Sequence, residues 1–240
     1  LRAVVYKQWE GLANHVSEPS FCKMTDRRGC TPLHLTVSHN GPLSLIKTLL
    51  KTWPGAAAAK DADGATALHH AAAKRASAEA VAALLEANPE AVKLQSTLKL
   101  TVPDAEVAAG GGLTHAIATS AEATRGFTPL HWALLMRSTE IVELLLEAEG
   151  GHGKESAAVA CAAGRLPLHT AAANEASLAT IKAIIEAHPP SLKHTDKHGA
   201  TPLHHAAAHC ASVESMAELS TQHPAAVQAK AKNGWTPLHY

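Results

Sequence analysis

Large aromatic side chains are scarce in this sequence. Phe, Trp and Tyr make up 3% of its 240 residues, although apolar residues of all kinds reach 46%. Any interior must therefore be built largely from Ala, Leu, Val and Ile, which favours closely packed helices. The sequence also has no excess of charge of one sign, because 21 Lys and Arg balance 21 Asp and Glu. This balance argues against nucleic acid as the partner, since such binding usually relies on bulk positive charge.

Cysteines and long apolar runs are also rare. The chain has four cysteines, too few and too widely spaced for a disulfide scaffold, and no two form a Cys-x-x-Cys pair. This usage is typical of a reducing compartment, so we predict an intracellular protein, cytoplasmic or nuclear. No stretch approaches the roughly 18 consecutive apolar residues that cross a bilayer, and membrane insertion is not expected.

An internal repeat organises the rest of the sequence. The tetrapeptide Thr-Pro-Leu-His, or a close variant, occurs six times, beginning at Thr31, Thr66, Thr128, Leu166, Thr201 and Thr236. Successive starts are 35 residues apart (66 − 31), except for intervals of 62 (128 − 66) and 38 (166 − 128). A period of this length is typical of stacked units, each of which covers the apolar face of its neighbour.

Each repeat predicts two helices and a turn. Thr suits the N-cap and Pro the first helical position, so a short helix begins at each copy of the motif. An apolar stripe with i, i+3 and i+4 spacing, such as Ile46, Leu49 and Leu50, indicates a second helix. Prolines at a constant offset are expected to end these second helices: Pro54, Pro89, Pro189 and Pro224. Asp-x-x-Gly turns then lead to the next copy.

The motif, the Ala that follows it, the Val-x-x-Leu-Leu stripe and the Asp-x-x-Gly turn together resemble the ankyrin repeat. The resemblance implies an all-α solenoid of stacked helix-turn-helix units, with turns or β-hairpins projecting as fingers at right angles. It also implies a protein-binding platform without chemistry of its own. The motif residues would then be structural, each histidine tying a helix start to the adjacent turn. These residues are Thr31, His34, Thr66, His69, Thr128, His131, His169, Thr201 and His204.

We predict three regions along the chain. Residues 1–25 form a partial repeat or a capping helix, and residues 26–240 form the repeat array, whose last repeat is truncated. The excess between the second and third copies, 62 − 35 = 27 residues, is an insertion at about 96–123. Such a loop is either an inert connection or a contact for a partner, and the sequence leaves both interpretations open.

The 17 histidines invite a catalytic or metal-binding interpretation, which the repeat largely removes because six of them hold the motif position. His205 and His209 are spaced to share one helix face, but no Glu follows His205 to complete the zinc motif His-Glu-x-x-His. Cys30 follows Arg27 and Arg28 closely, and nearby cations would lower its thiol pKa, although an ordinary turn cysteine is the preferred interpretation. We predict no catalytic residue, no metal site and no cofactor.

The ankyrin resemblance implies that a partner contacts the finger tips and the late part of each first helix. Charged residues at these positions are positive except Asp63, in a chain that is neutral overall. We therefore expect an acidic protein segment, steered by the cations and anchored near Phe127, Met136 and Trp235, and no small-molecule substrate. The predicted contact residues are Arg27, Arg28, Ser38, His39, Lys74, Arg125, Phe127, Met136, Arg165, Lys197, His198, His209, Lys232 and Trp235.

Other interpretations stay open at this point. The array could be a regulatory or substrate-recruiting domain of a larger enzyme or signalling protein whose catalytic part lies outside this sequence. Charged turns could serve solubility alone. Direct nucleic-acid binding would show a steep loss of affinity with salt.

Overall fold

The computed structural model of the chain describes residues 15–97 and 124–240, and the regular elements of these ranges are helices. The first helix of five repeats begins one residue after the motif's N-cap. The sixth motif forms a 3-10 turn at Pro237–His239. A short helix at Pro19–Cys22 precedes the first repeat. The five first helices are Pro32–Ser38, Ala67–Ala73, Pro129–Leu135, Pro167–Ala173 and Pro202–Ala208.

The second helices are longer and amphipathic. The longest have ten residues, and no helix in the described ranges is long and apolar enough to cross a membrane. In four repeats the constant proline opens a 3-10 turn after the helix, because its ring cannot continue an α-helix. The helices are Leu43–Thr52, Ala78–Ala87, Thr139–Leu146, Leu178–Ala187 and Val213–Gln222. The four turns are Pro54–Ala57, Pro89–Lys93, Pro189–Lys193 and Pro224–Gln228.

One apolar layer runs through the stacked repeats. First helices of consecutive repeats pack on one another, and second helices do the same behind them. The second stripe of the first repeat is buried, with Ile46 and Leu49 each 1% exposed. In the fifth repeat Leu219 is buried but Met216 is half-buried. The predicted all-α ankyrin-like solenoid is confirmed, and its core is built mainly from Leu, Ile, Val and Ala.

The turns that precede the motif, which we call fingers, are joined in a ladder by backbone hydrogen bonds. Gly29 and Gly126 have φ of 73° and 77°, and a Cβ added to either would lie 2.9 Å from a backbone nitrogen of the next finger. Only glycine allows this approach at positive φ. In each rung an N–H donates to a carbonyl oxygen of the preceding finger: Ala62 to Arg28 (2.9 Å), Thr97 to Asp63 (2.8 Å), Ala162 to Arg125 (2.8 Å), Lys197 to Ala163 (3.0 Å) and Lys232 to His198 (2.9 Å).

The predicted insertion emerges from a finger rather than from the helical stack. The N–H of Ser96 donates to the Phe127 carbonyl oxygen (3.0 Å), and the N–H of Gly126 donates to the Ser96 carbonyl oxygen (2.8 Å). Ser96 therefore lies inside the third finger. Residues 98–123 of the predicted insertion 96–123 lie outside the described residues. The first helices on either side of it still pack directly together.

The third repeat ends differently from the others. A 3-10 turn at Glu149–Gly151 and a short helix at His152–Ser156 replace the proline turn. Gly153 in that helix lies against the end of the preceding helix, and an added Cβ would overlap the carbonyl oxygen of Leu146. The longer interval between the third and fourth motifs is accommodated here.

Candidate functional site

The motif histidines link consecutive repeats. The backbone N–H of Thr31 donates to Nδ1 of His34 (3.2 Å), and Nε2 of His34 lies 3.1 Å from the Ala65 carbonyl oxygen of the next finger. Because an N–H must meet a lone pair, Nδ1 is unprotonated and the proton lies on Nε2, which donates to the carbonyl. The same contact from Nε2 joins His131 to Arg165 (3.1 Å) and His204 to Trp235 (3.2 Å), whereas Nε2 of His69 lies 2.9 Å from the Leu94 carbonyl oxygen at the end of its own repeat.

Burial keeps these histidines neutral. It is the main cause that lowers the pKa of His34 and His131 to about 4, and the pKa of His69 and His169 to about 3. His169 differs from the others, because its buried Nε2 makes no hydrogen bond of acceptable geometry within the described residues. A neutral imidazole at each junction is therefore a condition of the stack.

The finger tips carry most of the exposed residues that the sequence predicts as contacts. Together with the ends of the first helices, they form what we call the finger surface. Trp235 is 46% exposed, and its ring lies edge-on to Tyr240 at 5.2 Å. The exposed predicted residues are Arg27, Arg28, Arg125, Lys197, His198, Lys232 and Trp235, and the half-buried ones are Ser38, His39, Lys74, Met136 and His209.

Two predicted contact residues are buried and are withdrawn from this surface. Phe127 is 0% exposed, with its ring 5.0 Å from His131 and 5.4 Å from Trp132. Arg165 is 7% exposed. Both directly precede the motif, where the side chain enters the junction between repeats, as Cys30 does at 3% exposure. The sequence pattern alone assigned this position to the surface.

The finger surface is positively charged. Arg28 lies 3.7 Å from Asp63, so this finger-tip pair is neutralised. Within the part of the chain that the structure describes, Arg27, Arg125, Lys197 and Lys232 form no ion pair. The Lys197 stem crosses the preceding finger, since a Cβ on Gly164 would lie 3.3 Å from its Cγ.

The family and fold follow from two comparisons. Residues 3–95, 107–191 and 168–240 match the family profile of ankyrin repeats, in three copies. The chain belongs to the ankyrin repeat family.

Two solved structures have a similar fold. The human ASB11 ankyrin repeat domain superposes with a TM-score of 0.65 at 18% identity, covering 99% of this chain and 88% of that one. A chain of the complex between the predatory endopeptidase Bd0816 of Bdellovibrio bacteriovorus and the immunity protein Bd3460 gives 0.63 at 20% identity, covering 90% and 91%. None of the curated proteins matches this chain in sequence.

A second polar cluster lies inside the ankyrin array, between the first and second repeats. Nε2 of His70 is 2.8 Å from Oδ2 of Asp61, and Nδ1 of His70 is 3.0 Å from the Ser38 hydroxyl oxygen. That hydroxyl donates to the His34 carbonyl oxygen (2.7 Å), so it accepts from Nδ1–H of His70. One proton then lies between Nε2 of His70 and Oδ2 of Asp61.

This cluster resembles a Ser-His-Asp triad in composition but not in function. A nucleophilic serine must give its proton to the histidine, whereas Ser38 gives it to a carbonyl oxygen. Cys30 is no better, because burial, with Asp26 and Asp61 adding to it, raises the pKa of its thiol to about 12. Arg28 lowers the pKa by less than these effects raise it, so the preferred interpretation of Cys30 as an unreactive turn cysteine is favoured.

A similar pair lies in the fifth repeat of the array. Nε2 of His205 is 2.9 Å from Oδ2 of Asp196, nine residues earlier as in the first cluster. Burial opposes ionisation of Asp196, but the hydrogen bonds from His205 and from the Ala200 backbone lower its pKa well below the usual range. His209 stacks on His205 at 6.4 Å between ring centroids. The recurring interval of nine residues from Asp to His is the sequence signal for both pairs, and it was missed.

Proposed function

We propose that this ankyrin array is a noncatalytic protein-binding module whose finger surface holds an acidic segment of a partner. The observation that carries the proposal is the set of exposed finger-tip cations without a carboxylate partner in the described ranges: Arg27, Arg125, Lys197 and Lys232. Solubility alone would be served by charges of both signs. An excess of one sign on one surface favours a partner of the opposite sign.

The ladder of fingers fixes the spacing of these cations. The backbone of Lys197 is bonded to the fourth finger, and the backbone of Lys232 to the fifth. A Cβ on Gly199 would lie 3.3 Å from Cγ of Lys232, so both lysine stems run over the preceding finger. The fifth and sixth fingers thus form a short basic row, Lys197 and Lys232, which an acidic segment can contact with little loss of side-chain entropy.

Aromatic and apolar side chains of the finger surface supply contact area. Trp235 and Tyr240 are 46% and 50% exposed and lie against each other. Met136 is half-buried at the end of the first helix of the third repeat. Because Phe127 is buried, Trp235 is the one aromatic residue of the predicted contact set that a partner can reach. We therefore propose that charge supplies most of the recognition.

Noncatalytic function is supported by the chemistry of the described clusters. Ser38 lacks a base, and the Cys30 thiol is held protonated by burial. The resemblance to a chain from an endopeptidase–immunity protein complex supports a binding role by analogy only. An intracellular location, cytoplasmic or nuclear, remains part of the proposal, and four unpaired cysteines are compatible with it.

Peptide selection followed by charge reversal tests the proposal. We expect peptides selected from a random display library on the immobilised chain to be rich in Asp and Glu. The double exchange Lys197→Glu and Lys232→Glu should lower their association rate at low salt by at least about tenfold, because it reverses the field at the row. Stopped-flow fluorescence would measure this rate.

The control is a charge reversal of equal size on the opposite side of the repeats. Lys47 and Lys51 are exposed on the second helix Leu43–Thr52. Changing both to Glu gives the same net charge as the finger variant and should leave the association rate nearly unchanged. Equal effects of the two variants, or selected peptides without acidic enrichment, would contradict the proposed surface.

A further inference from the structure

Three metal-ligating side chains converge at the junction of the first and second repeats. Cys30 comes from the first finger, Asp61 from the second finger, and His70 from the helix Ala67–Ala73. All are buried, with 3%, 8% and 5% of their surface exposed. The Cys30 Sγ lies 4.0 Å from Oδ2 of Asp61, and the three ligand atoms lie within 4.8 Å of one another. No other such group occurs in residues 15–97 and 124–240.

We propose that Cys30, Asp61 and His70 bind a zinc ion that clamps the first repeat to the second. Thiolate, imidazole and carboxylate are all zinc ligands, and the combination of soft sulfur with nitrogen excludes Mg²⁺ and Ca²⁺, which take oxygen ligands. Three protein ligands leave one tetrahedral position for water. This site is independent of partner binding at the finger surface.

The distances are close to those of a tetrahedral site. Bonds of about 2.3 Å to sulfur and about 2.0 Å to nitrogen and oxygen place neighbouring ligand atoms about 3.3–3.6 Å apart. Sγ of Cys30 and Oδ2 of Asp61 are 4.0 Å apart, and Nε2 of His70 and Oδ2 are 2.8 Å apart. Shifts of about half an ångström, within reach of side-chain rotation, bring these two pairs into range.

Neighbouring groups already orient two of the ligands and fix the backbone of the third. Nδ1–H of His70 donates to Ser38, which leaves Nε2 as the coordinating atom. Oδ1 of Asp61 accepts the N–H groups of Asp63 and Ala65 (2.9 Å each), which leaves Oδ2 for a metal. The Cys30 N–H is held by Oδ1 of Asp26 at 2.9 Å. The ligand atoms of His70 and Asp61 are therefore already oriented, and the backbone that carries Cys30 is held in place.

Charge and proton balance also fit a divalent cation. Binding releases two protons to solvent, one from the Cys30 thiol and one from between His70 and Asp61. The resulting thiolate and carboxylate neutralise the two positive charges of zinc, so the buried junction carries no net charge. Burial disfavours an isolated thiolate. A bound zinc ion removes this penalty, because its positive charge stabilises the thiolate.

The array contains an internal comparison. The pair Asp196 and His205 repeats the geometry of Asp61 and His70, at 2.9 Å. There Arg165 takes the place of Cys30, and Ala173 takes that of Ser38. The fifth-repeat pair therefore lacks both the sulfur ligand and the hydroxyl that orients the histidine. A metal is expected at the junction of the first and second repeats and not at the junction of the fourth and fifth.

Cobalt and zinc binding to the whole chain test the proposal. We expect one equivalent of Co²⁺ to give the thiolate charge-transfer absorption of tetrahedral cobalt, and Zn²⁺ to displace it. Cys30→Ala should abolish this absorption and weaken Zn²⁺ binding, measured against a chromophoric chelator, by more than about 100-fold, since even outer-shell changes cost about 10–100-fold. His70→Leu should do the same, and Ser38→Ala should weaken binding by about 10–100-fold.

The repeat supplies variants that the fold tolerates. Alanine occupies the position of Cys30 in the second and fifth repeats, as Ala65 and Ala200, and Leu35 occupies the position of His70 in the first repeat. Circular dichroism would verify folding of each variant.

The controls are His205→Leu and the exchange of the exposed Cys210 for Ala. Both should retain the absorption and the affinity of the unmodified chain. The proposal is overturned if the unmodified chain shows no thiolate absorption, if Cys30→Ala keeps it, or if Cys210→Ala removes it.

Discussion

Acid should unfold the array through its buried motif histidines. The pKa of His131 falls from an ordinary 6.5 to about 4, chiefly because burial disfavours the imidazolium and secondarily because Arg165 repels it. Its Nδ1 accepts the N–H of Thr128 (3.3 Å) and its Nε2 donates to the Arg165 carbonyl oxygen (3.1 Å). A proton on Nδ1 of His131 would turn it into a donor that faces the N–H donor of Thr128, so this hydrogen bond would be lost.

The direction of the effect follows from which state binds the proton. Below pH 6.5 the unfolded chain protonates His131 while the folded chain does not, so the free energy of unfolding falls as the pH falls. The loss continues down to about pH 4. At about 1.4 kcal/mol per pH unit, the loss for His131 alone is on the order of 3 kcal/mol. His169, whose pKa is lowered to about 3, acts in the same direction.

Replacing the imidazole isolates this contribution. His131→Gln should lower the free energy of unfolding at neutral pH by about 1–3 kcal/mol, because the buried Thr128 N–H loses its partner. Between about pH 6 and pH 4.5 the variant should also show a slope about 1.4 kcal/mol per pH unit shallower. Urea unfolding in metal-free buffer, followed by circular dichroism, measures both quantities.

The matched control is His188→Gln, which removes an imidazole outside the motif. Its change in pH slope is subtracted from that of His131→Gln. An unchanged slope in His131→Gln would refute the reasoning. It would mean that His131 takes up a proton in the folded array and that its Nδ1 does not accept the Thr128 N–H.

Two packing predictions complete the set. Gly153→Ala should lower the free energy of unfolding by at least about 2 kcal/mol, because the added Cβ would overlap the Leu146 carbonyl oxygen. Gly151 lies in open space at a φ of 80°, so Gly151→Asn should lower the free energy of unfolding by less than about 1 kcal/mol. Leu145→Ala, at 0% exposure, should cost about 2–5 kcal/mol and the half-buried Met216→Ala clearly less. Urea titrations of the four variants check both, and equal losses within either pair would contradict the packing described.

The helical stack could be predicted from sequence because its signals are local. Proline at the first helical position marks the start of four of the five first helices, and a three-residue apolar stripe indicates the buried face of the second helices. Pro54 and its counterparts end these helices for steric reasons that depend on nothing beyond the chain itself. Repetition of the same signals allowed the whole array to be inferred.

The candidate site was only partly predictable, since burial and convergence depend on neighbouring repeats. Phe127 and Trp235 hold the same position in the repeat, yet Phe127 is 0% exposed beneath the following repeat and Trp235 is 46% exposed. The cluster of Cys30, Asp61 and His70 draws its members from two repeats. Their separations along the chain, 31 and 9 residues, match no compact metal-ligand motif.

Amide hydrogen exchange of the array with and without a selected acidic peptide tests the proposed finger surface most directly. We expect slower exchange in the fifth and sixth fingers, around Lys197 and Lys232, with no change in the second helices Leu43–Thr52 and Leu178–Ala187. Protection confined to those second helices, with the fingers unchanged, would contradict the proposal.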